Sequence, residues 1–366
     1  AAPDRSGWEA LPNPLAVLGQ EQIDRLAGLL AQTAALTEAG AMDLHQELLD
    51  MIRHFVEEQF EPGAQLSRVE PLVRWFGFDE GLRDAVVPGC GRRVLVRPLE
   101  GLIPERPFHD PADHPWCGGL ARHAGTFMRE VSPYLGRADA WGSAPQGTWG
   151  SMDAPEWRAL GLVQNGIWVA EDGQFPASRA ALSSLGGFRP DEVFFALMPA
   201  GSKIGRHSDK VNFFLVAHLG LELEAGLCTL RVGDWERQWK EGEVLVFDHT
   251  FVHSAANDSD RQRVVLVCRF WHPGCSEVER YALQLLQLLT AGMQEHAPDD
   301  GPDEPDLSAG DRVEVHSLLG AVHLNGRRGC IIKFVPETSR FAVRLDGDAD
   351  AKAMKPCNLR PTSCAT

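Results

Sequence analysis

From residue 93 to residue 268 the chain is divided into short β-rich runs, each closed by Gly, Pro, Asn or Asp, and this punctuation limits the fold more than any other feature. The runs occupy residues 93–97, 193–198, 213–219, 228–232, 244–247 and 263–268. Valine, isoleucine, phenylalanine and leucine at such spacing, with turn residues between, predict an antiparallel double-sheet β fold of the jelly-roll kind. Residues 136–180 interrupt the series and read as a long loop able to wall a pocket.

The flanks have a different texture. Leu44, Leu48, Ile52, Phe55 and Val56 recur at three and four residues, as do Ile23, Leu26, Leu29 and Leu30, so residues 1–91 read as a helical cover over the sheet. After the β region, Ser276 and Glu279 form a capping box that opens a helix. Its buried stripe is Val278, Tyr281, Ala282, Leu285, Leu286 and Leu289. Residues 295–308 hold six acidic residues and three prolines with no Lys or Arg, the composition of a linker. Residues 309–366 then form a small β module in which Asn325-Gly326 and Asp346-Gly347 mark turns. The expected class is α+β: helical residues 1–91, a double-stranded β-helix over 92–294, the linker 295–308, and the module 309–366.

Composition narrows the function. A formal charge of −16 argues against nucleic acid or an anionic membrane surface as the partner. No apolar run reaches the ~20 residues that span a bilayer. The eight cysteines form no CxxC pair, which disfavours a zinc knuckle. Cys228 and Cys268 sit in apolar runs, as small hydrophobes do. Reduced cysteines in a reducing compartment such as the cytoplasm are the favoured reading, with disulfides in a processed chain as the alternative that the even count leaves open. A start at Ala1 without a basic-then-apolar leader fits a processed N-terminus or one that never had a leader.

The residues with chemistry are His207-Ser208-Asp209, His253 forty-six residues beyond His207, and Arg263 ten further on. On an extended segment the side chains at i and i+2 share a side, so His207 and Asp209 can reach one metal. Two imidazoles and a carboxylate on one face of octahedral Fe(II) leave the other face for a co-substrate and O2. Arg263 opens an apolar strand, where an unpaired guanidinium is costly, so a carboxylate should meet it: either 2-oxoglutarate or a neighbour such as Asp248. Lys203, Arg206 and Lys210 flank the motif, either as a cationic rim that would attract an anionic substrate or as solvated loop charges. His109, His114 and His123 mimic metal spacing but read as loop and helix residues.

Residues 190–273 resemble the aspartyl/asparaginyl β-hydroxylase group of 2-oxoglutarate-dependent oxygenases. The likeness runs through residues 198–202, His207, Asn212, residues 218–221 and 239–248, His253, Arg263 and Trp271-His272-Pro273. It implies iron held by His207 and His253, with Asp209 completing a triad. It also implies 2-oxoglutarate anchored by Arg263, with His218 assisting at its other carboxylate. Two positions depart from the family: a serine falls on Ala196, and an arginine near the iron-proximal carboxylate falls on Val216. Ser202 is the candidate replacement for one lost contact. The implied activity is hydroxylation of a peptide, amino-acid-like, lipid or small-molecule C–H bond with release of succinate and CO2. The competing readings are a cupin-like binding protein and an inactive scaffold acting through residues 309–366. That module resembles small SH3-like barrels and could take a protein partner.

Overall fold

Strands from most of the β-rich runs form two sheets whose inner faces share one apolar core, while the run beginning at Arg93 pairs separately with residues 82–87. The computed structural model describes residues 38–60, 63, 65–74, 82–96, 98–137, 140–143, 157–171, 173–296, 309–315, 324, 326–335, 340–348, 350–354 and 359–362. The pattern read over residues 21–36 lies outside them, as do Cys357 and Cys364. Contacts divide the chain into two units, Ala1–Glu295 and His296–Thr366.

In the first unit the helices are α1 (Glu38–Gln59), α2 (Glu70–Arg74), α3 (Cys117–Arg122), α4 (Ala124–Val131), α5 (Pro176–Ser183) and α6 (Glu277–His296). Its strands are β1 (Leu82–Val87), β2 (Gly91–Val96), β3 (Phe108–His109), β4 (Gly142–Ser143), β5 (Arg158–Gln164), β6 (Ile167–Trp168) and β7 (Pro190–Met198). They continue with β8 (Lys203–His207), β9 (Phe214–Glu222), β10 (Cys228–Val232), β11 (Trp235–Gln238), β12 (Val244–Phe247), β13 (His253–Asn257) and β14 (Arg263–Trp271). The large sheet runs β3-β12-β9-β14-β7-β5-β4, with β6 on β5; the small sheet runs β11-β10-β13-β8. This is a jelly roll.

Period-2 alternation explains why β7 reads as unbroken apolar sequence. Phe194, Ala196 and Met198 face the interior, where Val216, Val265 and Val267 of the large sheet meet Leu230, Val232 and Ala255 of the small one. Val193, Phe195 and Leu197 face the opposite way, toward Leu120 and Phe127 of α3 and α4 and Leu182 of α5. A strand buried on both faces needs apolar residues at every position. Leu48, Ile52, Phe55 and Val56 of α1 join Tyr281, Leu285, Phe214 and Trp271 in a further cluster. The capping box forms: Ser276 N donates to Glu279 Oε2 at 2.9 Å, and Glu279 N to Ser276 Oγ at 3.2 Å.

Two segments differ from the sequence expectation. Leu82–Val87, read as part of a helical region, is a strand paired with Gly91–Val96. Its described residues are largely exposed, Val86 at 75%, so no apolar pattern marks it. Residues 136–180, read as loop, carry β4, β5, β6 and the start of α5. Strand β5 has no β-branched residue before Val163, and its pairing with β7 supplies what propensity does not.

Gly220 in β9 marks a close approach. A Cβ there would lie 2.3 Å from the Lys240 carbonyl oxygen, so glycine lets the Trp239–Lys240 backbone lie against the sheet. Gly220→Ala should cost about 1–3 kcal/mol, read as a lower urea midpoint with an unchanged m-value.

The second unit is a five-stranded antiparallel sheet: β15 (Arg312–Val315), β16 (Arg328–Val335), β17 (Arg340–Leu345), β18 (Ala351–Met354) and β19 (Leu359–Pro361), ordered β18-β17-β16-β15-β19. Val313, Val315, Ile331, Val343 and Leu345 form its core. Gly326 and Gly347 adopt φ of 81° and 86°, as the two turn dipeptides require.

Candidate metal centre

The small sheet brings the distant histidines together. Strands β8 and β13 run antiparallel with His207 directly opposite His253, and a register shift follows between His253 and Ala255. The two rings lie 4.2 Å apart, centroid to centroid. Asp209, two residues past the end of β8, completes a group in which one ligand atom from each residue lies within 4.8 Å of the others. Among the described residues no other trio of His, Cys, Asp or Glu does so.

Both rings are oriented by the same device. His207 Nδ1 lies 2.9 Å from the Gly205 carbonyl oxygen, and His253 Nδ1 lies 2.9 Å from that of Phe251. A carbonyl oxygen only accepts, so Nδ1 carries the proton and the Nε2 lone pair is left for a metal. Burial, with the neighbouring His207 charge, lowers the His253 pKa to about 4. The ring is therefore neutral, and able to ligate, at pH 7.

Asp209 is held by a residue to which the sequence reading assigned no role. His249 Nδ1 lies 3.0 Å from Asp209 Oδ2, and His249 Nε2 lies 2.9 Å from the Val211 carbonyl oxygen, so both ring nitrogens are spent on acceptors. In return the Asp209 N–H donates to the His249 carbonyl at 3.1 Å. Asp209 Oδ1 is buried and has no partner among the described residues. Burial pushes the Asp209 carboxyl up, but the His249 hydrogen bond and the charges of His249, His253 and His207 outweigh it and hold it well below the carboxylate range. The turn itself is fastened by Ser208 Oγ, which donates toward the carbonyls of Val94 and Thr250 at 3.1 and 2.9 Å. Nothing in Asp248-His249-Thr250 distinguishes His249 from the other histidines of the chain. Only the folded turn reveals it.

Arg263 opens β14 and is 2% exposed, yet its Nε and Nη1 find no hydrogen-bond partner among the described residues. Its guanidinium carbon stands 4.4 Å from the Trp239 ring centroid. Asp248, the alternative acid partner, is taken by Arg93, whose Nη2 donates to Asp248 Oδ2 at 2.9 Å while Nε donates to Thr250 Oγ1 at 2.7 Å. Burial lowers the Arg263 pKa to about 10, which leaves it charged at neutral pH.

His218 stacks on the same residue, 5.8 Å from Trp239 at 17°, and its buried Nδ1 also lacks a partner among the described residues. Burial first, then the charges of Arg263 and His253, hold its pKa well below the ordinary value. Neutral His218 therefore feels both the guanidinium and the trio. Trp239 Nε1 has no partner among the described residues either, which the motif alone did not indicate.

The remaining candidates fall elsewhere. The Ser202 hydroxyl donates to the Pro199 carbonyl at 2.7 Å, which leaves it no proton for a carboxylate. Ala196 is fully buried and apolar. Val216 faces Arg269 across β14, but that guanidinium is held by Asp191 Oδ2, 2.8 Å from Nε, and Glu192 Oε1, 3.1 Å from Nη2. Lys203 pairs with Asp258 at 3.0 Å. The six described cysteines, Cys90, Cys117, Cys228, Cys268, Cys275 and Cys330, are all free thiols.

The buried histidines carry a stability prediction. Burial is the first cause lowering His109, His253 and His272 to about 4, against an ordinary 6.5. A depressed histidine pKa means that the unfolded chain binds protons the native state refuses. Metal-free protein should therefore lose stability as pH falls from 6.5 toward 4, by up to roughly 1.4 kcal/mol per pH unit for each ring. Urea melts at pH 7, 5.5 and 4.5 would show it; a flat profile would count against neutral buried rings.

Residues 125–273 match a family model described as Aspartyl/Asparaginyl beta-hydroxylase. Among curated proteins, human Aspartate beta-hydroxylase domain-containing protein 2 is 33% identical over 154 residues, covering 39% of this chain and 41% of that protein. Human Aspartate beta-hydroxylase domain-containing protein 1 is 31% identical over 219 residues, 54% of each chain. Mouse Aspartyl/asparaginyl beta-hydroxylase is 31% identical over 97 residues, 26% of this chain and 13% of that one. The chain thus spans about half the length, or less, of these relatives. His207, Asp209, His218, His253 and Arg263 all fall inside the segment that matches the aspartyl/asparaginyl β-hydroxylase model, so the likeness to that family includes the site itself.

Proposed function

We propose that this chain is an Fe(II)- and 2-oxoglutarate-dependent hydroxylase, and one observation carries the reading. A buried guanidinium whose Nε and Nη1 have no partner among the described residues shares the jelly-roll interior with a His/Asp/His trio whose ligand atoms converge. Leaving a charge unpaired in such a place costs several kcal/mol, roughly, and a dicarboxylate arriving there would satisfy it.

His207, Asp209 and His253 would hold the metal, and Arg263 would take the distal carboxylate of 2-oxoglutarate through paired N–H donors. When bound, the iron and co-substrate supply the oxidative decarboxylation that activates O2, with succinate and CO2 as products. The chain's own work is positional. The Gly205 and Phe251 carbonyls fix both imidazole tautomers, and His249 holds Asp209 through Oδ2, the oxygen that lies 4.0 Å from His253 Nε2. His218 Nδ1 and Trp239 Nε1, neither with a partner among the described residues, are the groups available to the co-substrate beside Arg263. Val265, Val267 and Ala196, in the same cluster as Trp239, make that surrounding dry.

The substrate belongs to a class with an unactivated C–H bond: a peptide or amino-acid-like molecule, a lipid or another small molecule. Lys203 and Arg206 fit a weak attraction for anionic ones. We read the second unit as an SH3-like barrel that serves a protein partner and not turnover.

Anaerobic titration with Fe(II), then 2-oxoglutarate, should give one metal site and a co-substrate complex. On admission of air, slow conversion to succinate should follow even without a prime substrate. A chain lacking residues 300–366 should keep that turnover. Metal that binds without any 2-oxoglutarate complex would favour a cupin-like binding protein instead.

A further inference from the structure

A cleft lies outside the jelly-roll interior, and its chemistry is opposite to that of the chain as a whole. It measures about 180 Å³ and is bounded by His114 and Trp116 before α3, Gly186 and Arg189 before β7, Phe270 and Trp271 of β14, and Arg280 of α6. None of these residues belongs to the metal centre.

Three features point to a ligand. His114 is 4% exposed, yet its Nε2 has no partner among the described residues. Arg280 donates from Nη1 to the Cys275 carbonyl at 2.8 Å, and its Nη2 lies 3.6 Å from Glu277, but its buried Nε has no partner among the described residues. Arg189 lines the same cleft and is near enough to repel Arg280, adding to the effect of burial in lowering the Arg280 pKa. The cleft's own acid, Asp113, is paired with Arg106. In a chain of net charge −16, two guanidinium groups thus converge on one apolar cleft.

The walls limit what can enter. Trp116 and Phe270 meet edge to face at 4.8 Å, and His114 stands edge-on to Phe270 at 5.2 Å. The volume equals roughly six waters at about 30 Å³ each, below the ~300 Å³ at which drug-sized sites begin. A ring with one carboxylate is about the largest fit.

We propose that this cleft binds a small planar carboxylate, its ring against Trp116, Phe270 and Trp271 and its oxygens toward Arg280, Arg189 and His114. Planar guanidinium forks match carboxylates in two-point geometry, and a partly dry site strengthens the pairing. The proposal is independent of the iron and 2-oxoglutarate reading.

Benzoate is the probe, with neutral benzamide as its control. Both are titrated by calorimetry and ligand-observed NMR into full-length protein saturated with Zn(II) and 2-oxoglutarate, so that Arg263 does not report. Benzoate should bind at one site at least tenfold tighter than benzamide. Arg280→Gln should weaken it about tenfold. Gly186→Phe should abolish binding by filling the space, since a Cβ at Gly186 meets nothing within 4 Å. Melting curves establish that both variants fold, and Gly186→Phe keeps every charge in place should Arg280→Gln not fold. Equal affinity for benzoate and benzamide, no binding of either, or benzoate binding that survives Gly186→Phe would overturn the proposal. Succinate formation is measured separately, so failure here leaves the hydroxylase reading standing.

Discussion

Arg263→Met is expected to move stability and co-substrate binding in opposite directions. Without 2-oxoglutarate, the wild-type chain keeps a 2% exposed guanidinium whose Nε and Nη1 have no hydrogen-bond partner among the described residues. Methionine fills much of the same length without a charge, so the buried charge penalty disappears. The lost contact with the Trp239 ring gives back about 0.5–2 kcal/mol. Replacing buried charge with packed apolar side chains elsewhere gains about 1–4 kcal/mol, so the net effect should be a Tm equal to or above wild type. Binding of 2-oxoglutarate to the Zn(II)-loaded protein should weaken by about 100- to 1,000-fold, the loss expected when one partner of a buried ion pair, worth ~3–4 kcal/mol, is removed. Metal affinity should hardly change. A variant that melts lower and binds 2-oxoglutarate normally would mean that Arg263 is a structural residue with a partner of its own.

The second large effect belongs to the Asp209–His249 pair. His249→Phe removes the donor to Asp209 Oδ2 and leaves the Val211 carbonyl unpaired, so the carboxylate can rotate away from the two imidazoles. Groups that orient metal ligands are typically worth 10- to 100-fold in metal affinity, and that is the expected loss for Mn(II) followed by electron paramagnetic resonance. Asp209→Ala should cost at least as much, because it removes the ligand atom itself. If both variants bind Mn(II) like wild type, the protein runs on His207 and His253 alone. The double variant should lose little more than Asp209→Ala, since His249 acts through Asp209.

Much of the site was legible before folding, and the parts that were not have physical reasons. His207, Asp209, His253 and Arg263 stand at spacings that two antiparallel strands and a turn can bring together, and the matched segment contains them all. His249 and Trp239 escaped notice because their roles depend on which atoms are left unpaired after folding, and a one-letter string does not record that. Ser202 has the right chemistry, yet a local turn spends its hydroxyl on Pro199. Strand β5 was read as loop because its partner, β7, lies more than twenty residues away and supplies the pairing.

What the chain determines by itself is the alternation that makes β7, β9 and β14 strands, the apolar periodicity of α6, and the residue types able to hold a metal beside an anion. These depend on neighbours within a few positions, where backbone geometry is periodic. What only the tertiary structure decided is which polar atoms are left wanting a partner: Asp248 goes to Arg93 and not to Arg263, and His249 takes Asp209 Oδ2 while Oδ1 has no partner among the described residues. Hydrogen-bond satisfaction is settled by contacts across the whole fold, and a site becomes reactive where that accounting is left incomplete.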